Sequence, residues 1–479
     1  MSNLDKITIY INHLVCAAAK TLRSGWPCRE FDSTGVIKPA FLKKSAHAGT
    51  KKYLCPFLKH KIPESLEDKL VWKSHIALFC LIAMLAGMMG ARAISSMAMM
   101  LFGLNALWDV HPKRWLEKKW WLLGCAWVAL YLLSGFWSAD KQEWWEHTQV
   151  KMPFLLLPLA FEFLPPFSKK HRLIFSAALA VMMSAGAFYS LGHFLADPAA
   201  LIHNYKYAQV LPTPFYNDHI SFSAAVAVSV VWLLYYFPQL KGRWARGVFG
   251  CCVAFLIIYL HILAAKTGLL ALYIFLLIWV IRQIIRRPGR GILMAAIIAG
   301  LIASAAIFLP TLRERIGYSI VTWRSLAMGE RGAIYSDASR IISYDLAMHS
   351  IAKHPLVGVG IGDVFGEMKQ GYAEHYPEVA GEQMLWPHNQ YLTTAMGIGI
   401  IGALLLFCWQ LAALRRLKGR SGFYFGAVWL MLLVPLFVDP FFEVQIGVAV
   451  YLIYLLWQRK AMKDDALTGR ETELSREER

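Results

Sequence analysis

The chain has 479 residues, 57% of them apolar and 17% charged, with a formal net charge of +18. The charged residues fall in clusters between long uncharged runs, which excludes the interspersed surface of a soluble domain. The basic residues occupy short loops rather than one continuous face, which excludes a nucleic-acid-binding surface and fits a chain whose solvent is a bilayer.

Residues 1–73 are basic and irregular and lack the charged, apolar and small-residue order of a cleavable signal; they read as a cytoplasmic tail, in which 7–19 can form a short surface helix. From residue 74 onward, segments of the length and apolarity that a spanning helix needs recur about twelve times, because backbone groups in hydrocarbon must be satisfied within the segment. They are 75–90, 93–108, 120–137, 152–164, 173–195, 220–237, 248–264, 268–281 and 292–309 within residues 74–309, then 391–411, 423–438 and 441–457 within residues 390–458. The weakest is 152–164, short and interrupted by Pro158. It is retained because it keeps the charges in register. With it, the loops on one side carry Lys113, Arg114, Lys118 and Lys119; Lys169, Lys170 and Arg172; Lys241, Arg243 and Arg246; Arg282, Arg286, Arg287 and Arg290; and Arg415, Arg416, Lys418 and Arg420. The short loops on the other side hold single bases, Arg92, Lys141, Lys151, Lys206 and Lys266, and the one around Asp439 holds none. The positive-inside rule then puts both termini in the cytoplasm, including the charged tail 459–479.

One long external segment remains, 310–389, about 80 residues and so longer than an ordinary connection. Within it, Ser336 or Asp337 can cap a helix beginning near Arg340, which His354-Pro355 ends because proline disfavours a helical residue before it. A glycine-rich turn, Gly358-Val359-Gly360-Ile361-Gly362, and a short amphipathic piece follow. The expected fold is all-α, a polytopic membrane protein of about twelve transmembrane helices with one long external loop containing short helices. Trp120, Trp121, Trp144, Trp145 and Trp386 stand at span ends, as an interfacial belt requires.

The most informative motif is Trp386-Pro387-His388-Asn389-Gln390-Tyr391-Leu392, where the long segment meets an apolar helix. Proline at the first helical position would leave His388 in the first turn, where unpaired N–H groups favour a neutral imidazole suited to general-base work. The alternative is a histidine that only anchors the helix at the interface. Lys266, in Ala265-Lys266-Thr267-Gly268, is a lone cation at the outer mouth of two apolar helices; it either meets an anionic substrate or snorkels. Among the external arginines Arg313, Arg315, Arg324, Arg331 and Arg340, the last lies early in the expected helix with Tyr344 one turn on. Its planar fork suits a phosphate, or an ion pair with Asp337 or Asp345. In Pro214-Phe215-Tyr216-Asn217-Asp218-His219, capping by Asn217 or Asp218 is favoured over an Asp218–His219 pair, since neighbouring residues point to different helix faces. The glycine run lacks the βαβ context of a dinucleotide site, and His349, His354, His375 and His388 lack i, i+4 ligand spacing. Neither a metal nor another cofactor is expected. The eight cysteines (Cys16, Cys28 and Cys55 near the N-terminus; Cys80, Cys125, Cys251, Cys252 and Cys408 in apolar segments) contain no CxxC.

The order of these features, Lys266 to Leu272 at a helix start, then Arg340, Ala347, His354-Pro355-Leu356 and Gly358 to Gly362, then His388-Asn389-Gln390-Tyr391-Leu392, resembles the O-antigen ligase (WaaL) and Wzy-type polymerase superfamily. The resemblance implies a metal-independent, inverting transfer of glycan from undecaprenyl pyrophosphate to a lipid A-core or related glycan acceptor, at the periplasmic face of the bacterial inner membrane. It implies His388 as catalytic base and Arg340 and Lys266 as pyrophosphate ligands, with Asn389, Tyr391, Tyr344, His219 and Arg324 in support. Lys266 stands where many relatives have arginine, which keeps the charge and loses the bidentate fork. The partners implied are the lipid-linked donor, the acceptor and membrane lipid, with no nucleic acid. A Wzy-type polymerase and a protein O-oligosaccharyltransferase use the same donor. A transporter of similar span number would instead show discontinuous helices with ionisable residues near the midplane.

Overall fold

The computed structural model describes residues 30–31, 37–38, 64–207, 209–328, 336–379, 381–414 and 419–477. The chain divides into two units, Met1–Ile62 and Pro63–Arg479. In the first, β1 (Glu30–Phe31) pairs antiparallel with β2 (Ile37–Lys38), Glu30 opposite Lys38. The helix expected over 7–19 lies outside the described residues, as do the capping side chains of Ser336 and Asp337 and the whole of Arg331.

In the second unit the regular structure is helical. Every apolar segment read from the sequence coincides with a helix: α1 (Glu64–Gly90), α2 (Arg92–Leu107), α3 (Lys119–Ser134), then, after the polar α4 (Lys141–Gln149), α5 (Pro153–Phe163) and α6 (Lys169–Ala196). After the short α7 (Pro198–Asn204) come α8 (His219–Tyr236), α9 (Arg243–Leu263), α10 (Lys266–Arg286) and α11 (Pro288–Phe308). The long segment 310–389 contains α12 (Pro310–Ala327), α13 (Ser336–Lys353) and α14 (Val364–His375). Last come α15 (Gln390–Ala413), α16 (Gly419–Val438) and α17 (Gln445–Glu477).

Among the described residues, eight helices are long and apolar enough to cross a membrane, and these do not confirm the count of twelve expected from sequence. Helices α2 and α3 have 16 residues and α5 has 11. At about 1.5 Å per residue none of the three reaches the roughly 30 Å of a hydrocarbon core. Helix α8 is the hub, buried from Ser221 almost to its end. Helix α11 stands at the rim with only Gly291 buried, its Ile and Leu side chains left to lipid.

The basic loops gather at one end. Lys118 lies over the Phe163 ring at 5.3 Å, Arg282 over Phe423 at 4.2 Å, and Arg172 reaches Asp465 at 3.4 Å. The tail expected from residue 459 is not a separate element: α17 runs on unbroken, burying Gln458, Arg459, Ala461, Met462 and Asp464. The reason is electrostatic. Arg459 pairs at 2.6 Å with Glu162, the charge inside the weakest apolar segment, and Asp464 accepts from the Phe167 N–H at 2.9 Å.

Helix α15 is broken. Ile398 and Gly399 leave helical geometry, with Gly399 at φ 80°. The glycine run from the external segment fills the break, Val359 N donating to Met396 O at 2.8 Å and Gly360 N to Gly397 O at 3.0 Å, while Ile400 N donates to Pro355 O at 2.9 Å. It is therefore more than the turn expected from sequence. Gly358 (φ 69°) and Gly360 (φ 98°) supply the left-handed backbone, and a Cβ at Gly358 would overlap the Met396 carbonyl. Asp363 ties the run's far end to the loop before α4, accepting from Ala139 N at 2.6 Å and Asp140 N at 3.0 Å.

Candidate functional site

At the end opposite the basic loops, the connector between α16 and α17 meets the His388 motif. Helix α15 starts at Gln390, three residues later than the start at Pro387 expected from sequence. Asn389 is its cap, the side chain accepting from Tyr391 N at 2.9 Å and Leu392 N at 3.2 Å. His388 thus sits just outside the helix rather than in its first turn, because the Asn389 cap outcompetes proline for the start.

That placement turns the imidazole toward Asp439, with Nδ1 3.2 Å from Oδ1 and both side chains about four-fifths buried, at 19% and 18% exposed. The backbone is pinned as well. Tyr344 OH donates to His388 O at 2.8 Å and to Phe437 O at 3.2 Å, and His388 N donates to Ser343 Oγ at 3.3 Å. A carboxylate on Nδ1 fixes the tautomer in which Nε2 is the free acceptor, the form a general base requires. Asp439 was legible in the sequence only as the loop without a base.

Residues 215–217 deliver a second imidazole. Phe215, Tyr216 and Asn217 are all left-handed, with φ of 63°, 58° and 66°. Such residues cost roughly 1–2 kcal/mol each and persist where surroundings over-determine them. Here Phe215 is fully buried, the Arg92 guanidinium lies 4.1 Å over the Tyr216 ring, and Thr213 N donates to Asn217 Oδ1 at 3.0 Å. The turn ends in Asp218, which caps α8 through Ser221 N at 2.9 Å, so the favoured capping role is the observed one. His219 follows at the helix start, within electrostatic reach of Arg315, Asp439 and Arg340. Burial pushes the Asp218 carboxyl above its ordinary range, against the Ser221 hydrogen bonds and helped by the charge of Asp439.

Lys266 opens α10 beside this point. The glycine of its motif is a contact requirement: a Cβ on Gly268 would lie 2.5 Å from Ser223 Cβ, so only glycine lets α10 close onto the first turn of α8. Lys266 and Arg315 flank the Tyr318 ring at 6.0 and 5.6 Å. Both line a groove of about 370 Å³ whose other walls are Ala264, Leu269, Leu312, Ile316, Ser319, Ile320 and Trp323. It is an apolar trough with two cations on its wall. Arg340, half-buried early in α13, joins the group through His219.

Of the residues named from sequence, His388, Asn389, Tyr344, Arg340, His219 and Lys266 are brought to this end of the molecule. Tyr391 turns inward, donating to Gln410 Oε1 at 2.6 Å, and so belongs to the packing of α15. Arg324 is exposed on the last turn of α12, whereas Arg315 of the same helix lies beside the Tyr318 ring with Lys266. The Trp386 ring lies tilted 4.5 Å from the His147 ring and stacks 5.9 Å from Phe365. Asp345 accepts from Tyr376 OH at 2.7 Å. Among the described residues no three His, Cys, Asp or Glu side chains gather as metal ligands.

Beneath the motif, Lys151 donates to Glu443 Oε2 at 2.7 Å and His147 Nδ1 lies 3.0 Å from the same oxygen. Burial alone would raise the Glu443 carboxyl; the Lys151 ammonium and the His147 imidazole outweigh it and hold the group down at about 2.

Residues 251–407, from α9 to the break in α15 and beyond it to Phe407, match the family model described as O-antigen ligase. No curated protein matches the chain.

Proposed function

We propose that this chain, whose residues 251–407 match the O-antigen ligase family, moves a glycan from undecaprenyl pyrophosphate to a lipid A-core or related sugar at the periplasmic face of the inner membrane. The observation that carries the reading is that the His388–Asp439 pair stands at the same end of the bundle as the Lys266–Arg315 groove.

The chemistry follows from the groups. No nucleotide sugar is supplied outside the cytoplasm, so the energy of transfer has to travel in the anhydride of the lipid carrier. A glycosyl pyrophosphate brings its own leaving group. His388 Nε2 removes the proton of the acceptor hydroxyl as it attacks the anomeric carbon; the bond to pyrophosphate breaks on the opposite side, which inverts the centre. Asp439 holds the ring and stabilises the imidazolium. Arg340, Arg315 and Lys266 balance charge growing on the departing pyrophosphate, work done by preorganised cations without a metal. The apolar trough below Lys266 and Arg315 accepts the first units of the polyprenyl chain.

The transporter reading predicts a discontinuous helix, and α15 is one. Yet the carbonyls freed at its break are occupied by Val359 N and Gly360 N, which favours a structural clamp over an ion site.

Deletion followed by glycan analysis tests the proposal. Long chains stranded on the lipid carrier are expected. Single repeat units capping the acceptor would indicate a polymerase instead, a loss of glycan from proteins alone would indicate a protein O-oligosaccharyltransferase, and unchanged glycans with altered solute uptake would remove the enzyme reading.

A further inference from the structure

We propose that Gln390, Glu443 and Lys151 form a positioning network that sets the His388 imidazole against Asp439, a role that rests on the glycan-transfer reading and goes beyond a buried ion pair holding helices together.

The connector between α16 and α17 grips the motif at two points. Asp439 meets His388, and four residues later Glu443 meets Gln390, whose Nε2 donates to Glu443 Oε1 at 3.0 Å. Gln390 is fully buried and its amide is saturated, since Nε2 also donates to Thr394 Oγ1 at 3.2 Å and Oε1 accepts from Phe442 N at 2.6 Å. It cannot rotate without leaving a buried polar group unmet. Glu443 is fixed in turn by Lys151, which is itself fully buried, donates to His147 O at 2.8 Å and lies 4.5 Å over the Tyr131 ring. On the other flank the tilted contact of Trp386 with the His147 ring, at 4.5 Å, returns to the same cluster. The five residues 386–390 are therefore held at three places, Trp386, His388 and Gln390, by groups from helix α4 and from the connector between α16 and α17.

Packing does not call for these charges. A buried ion pair is usually no more stable than apolar residues of similar volume, and often less so, whereas hydrogen bonds from a fixed carboxylate set direction. What the network controls is the roll of the α15 start, and a small roll at Gln390 swings His388 away from Asp439. Misplacement of a catalytic group by about 1 Å can cost about a hundredfold in rate.

The double variant Lys151→Met/Glu443→Leu of the full-length protein, in lipid nanodiscs, separates the two roles. Three quantities are measured: thermal unfolding, residue-resolved modification of His388 by diethylpyrocarbonate at neutral pH, and kcat and KM with an undecaprenyl-pyrophosphate-linked glycan. Positioning predicts an unfolding temperature at or above wild type, an altered His388 modification rate, and a kcat lower by about tenfold or more with donor KM within about twofold. A stable double variant with wild-type His388 reactivity and kcat would overturn it. Should that variant fail to fold, Gln390→Leu, which leaves the ion pair intact, carries the same expectations. If the wild type transfers no glycan, the glycan-transfer reading falls, and the His388 modification rate alone then decides whether the network positions the ring.

Discussion

His388 and Asp439 stand 3.2 Å apart, Nδ1 to Oδ1, across 51 positions of sequence. In the proposed transfer the imidazole gains a proton as the acceptor hydroxyl attacks, so a neighbouring carboxyl group is worth most at that step. Asp439→Asn keeps the shape and removes the charge. It is expected to lower kcat by about 10²-fold, within the range for general-base catalysis, with donor KM little changed. Steady-state kinetics on the purified variant check this, and a loss confined to KM would mean that Asp439 serves binding.

Lys266 and Arg315 share the Tyr318 ring and the mouth of one groove. Losing a charge-assisted hydrogen bond costs about 1.5–3 kcal/mol, or roughly 10- to 100-fold in kcat/KM. Arg315→Ala should show that loss for the lipid-linked donor. Lys266→Arg should be tolerated, because the guanidinium restores a fork at a position that already carries the charge. Equal, large losses in both variants would argue that shape rather than charge matters there.

Gly399 and Gly366 make a contrasting pair. At Gly399 (φ 80°) a Cβ would overlap the Leu356 carbonyl, so Gly399→Ala should destabilise by about 1–3 kcal/mol and loosen the glycine run from α15. Gly366, inside α14, has nothing within 4 Å of such a Cβ, and Gly366→Ala should be neutral or stabilising by about 0.5–1 kcal/mol. Thermal melts of the two variants decide the matter, and equal effects would refute the clamp.

The Glu443 carboxyl is held at about 2, below its ordinary 4.5. A depressed carboxylate contributes stability that is complete above the unfolded value and is lost as pH falls toward the folded one, so the loss belongs between about pH 4.5 and 2. Asp218, shifted upward, contributes with the opposite sign. Melting curves of wild type and Lys151→Met/Glu443→Leu across that window isolate the Glu443 part, which should vanish in the variant; identical acid dependence would contradict the assignment.

The apolar runs were readable because a helix in lipid announces itself by length and hydropathy, and the alternation of basic loops fixed even α5, the 11-residue helix that carries Pro158 in its interior. His388, Arg340 and Lys266 were readable because each is a polar group at the edge of an apolar run. Asp439, Glu443 and Lys151 were not. Each is a single charge in a short connector, and nothing within its own segment says what it faces. Helix α12 was hidden for another reason: its mixed apolar and basic composition fits a surface helix or a loop equally well until Thr311 donates to Ile262 O at 2.6 Å. The glycine run looked like a turn because the break it fills lies some forty residues on, at Ile398 and Gly399.

The most direct test is a transfer assay with purified wild type and His388→Ala, using an undecaprenyl-pyrophosphate-linked glycan and a lipid A-core acceptor in the presence of a chelator. Wild type should ligate under these conditions, and His388→Ala should be slower by about 10²- to 10⁴-fold while still binding donor. Full transfer by a correctly folded His388→Ala would contradict the account.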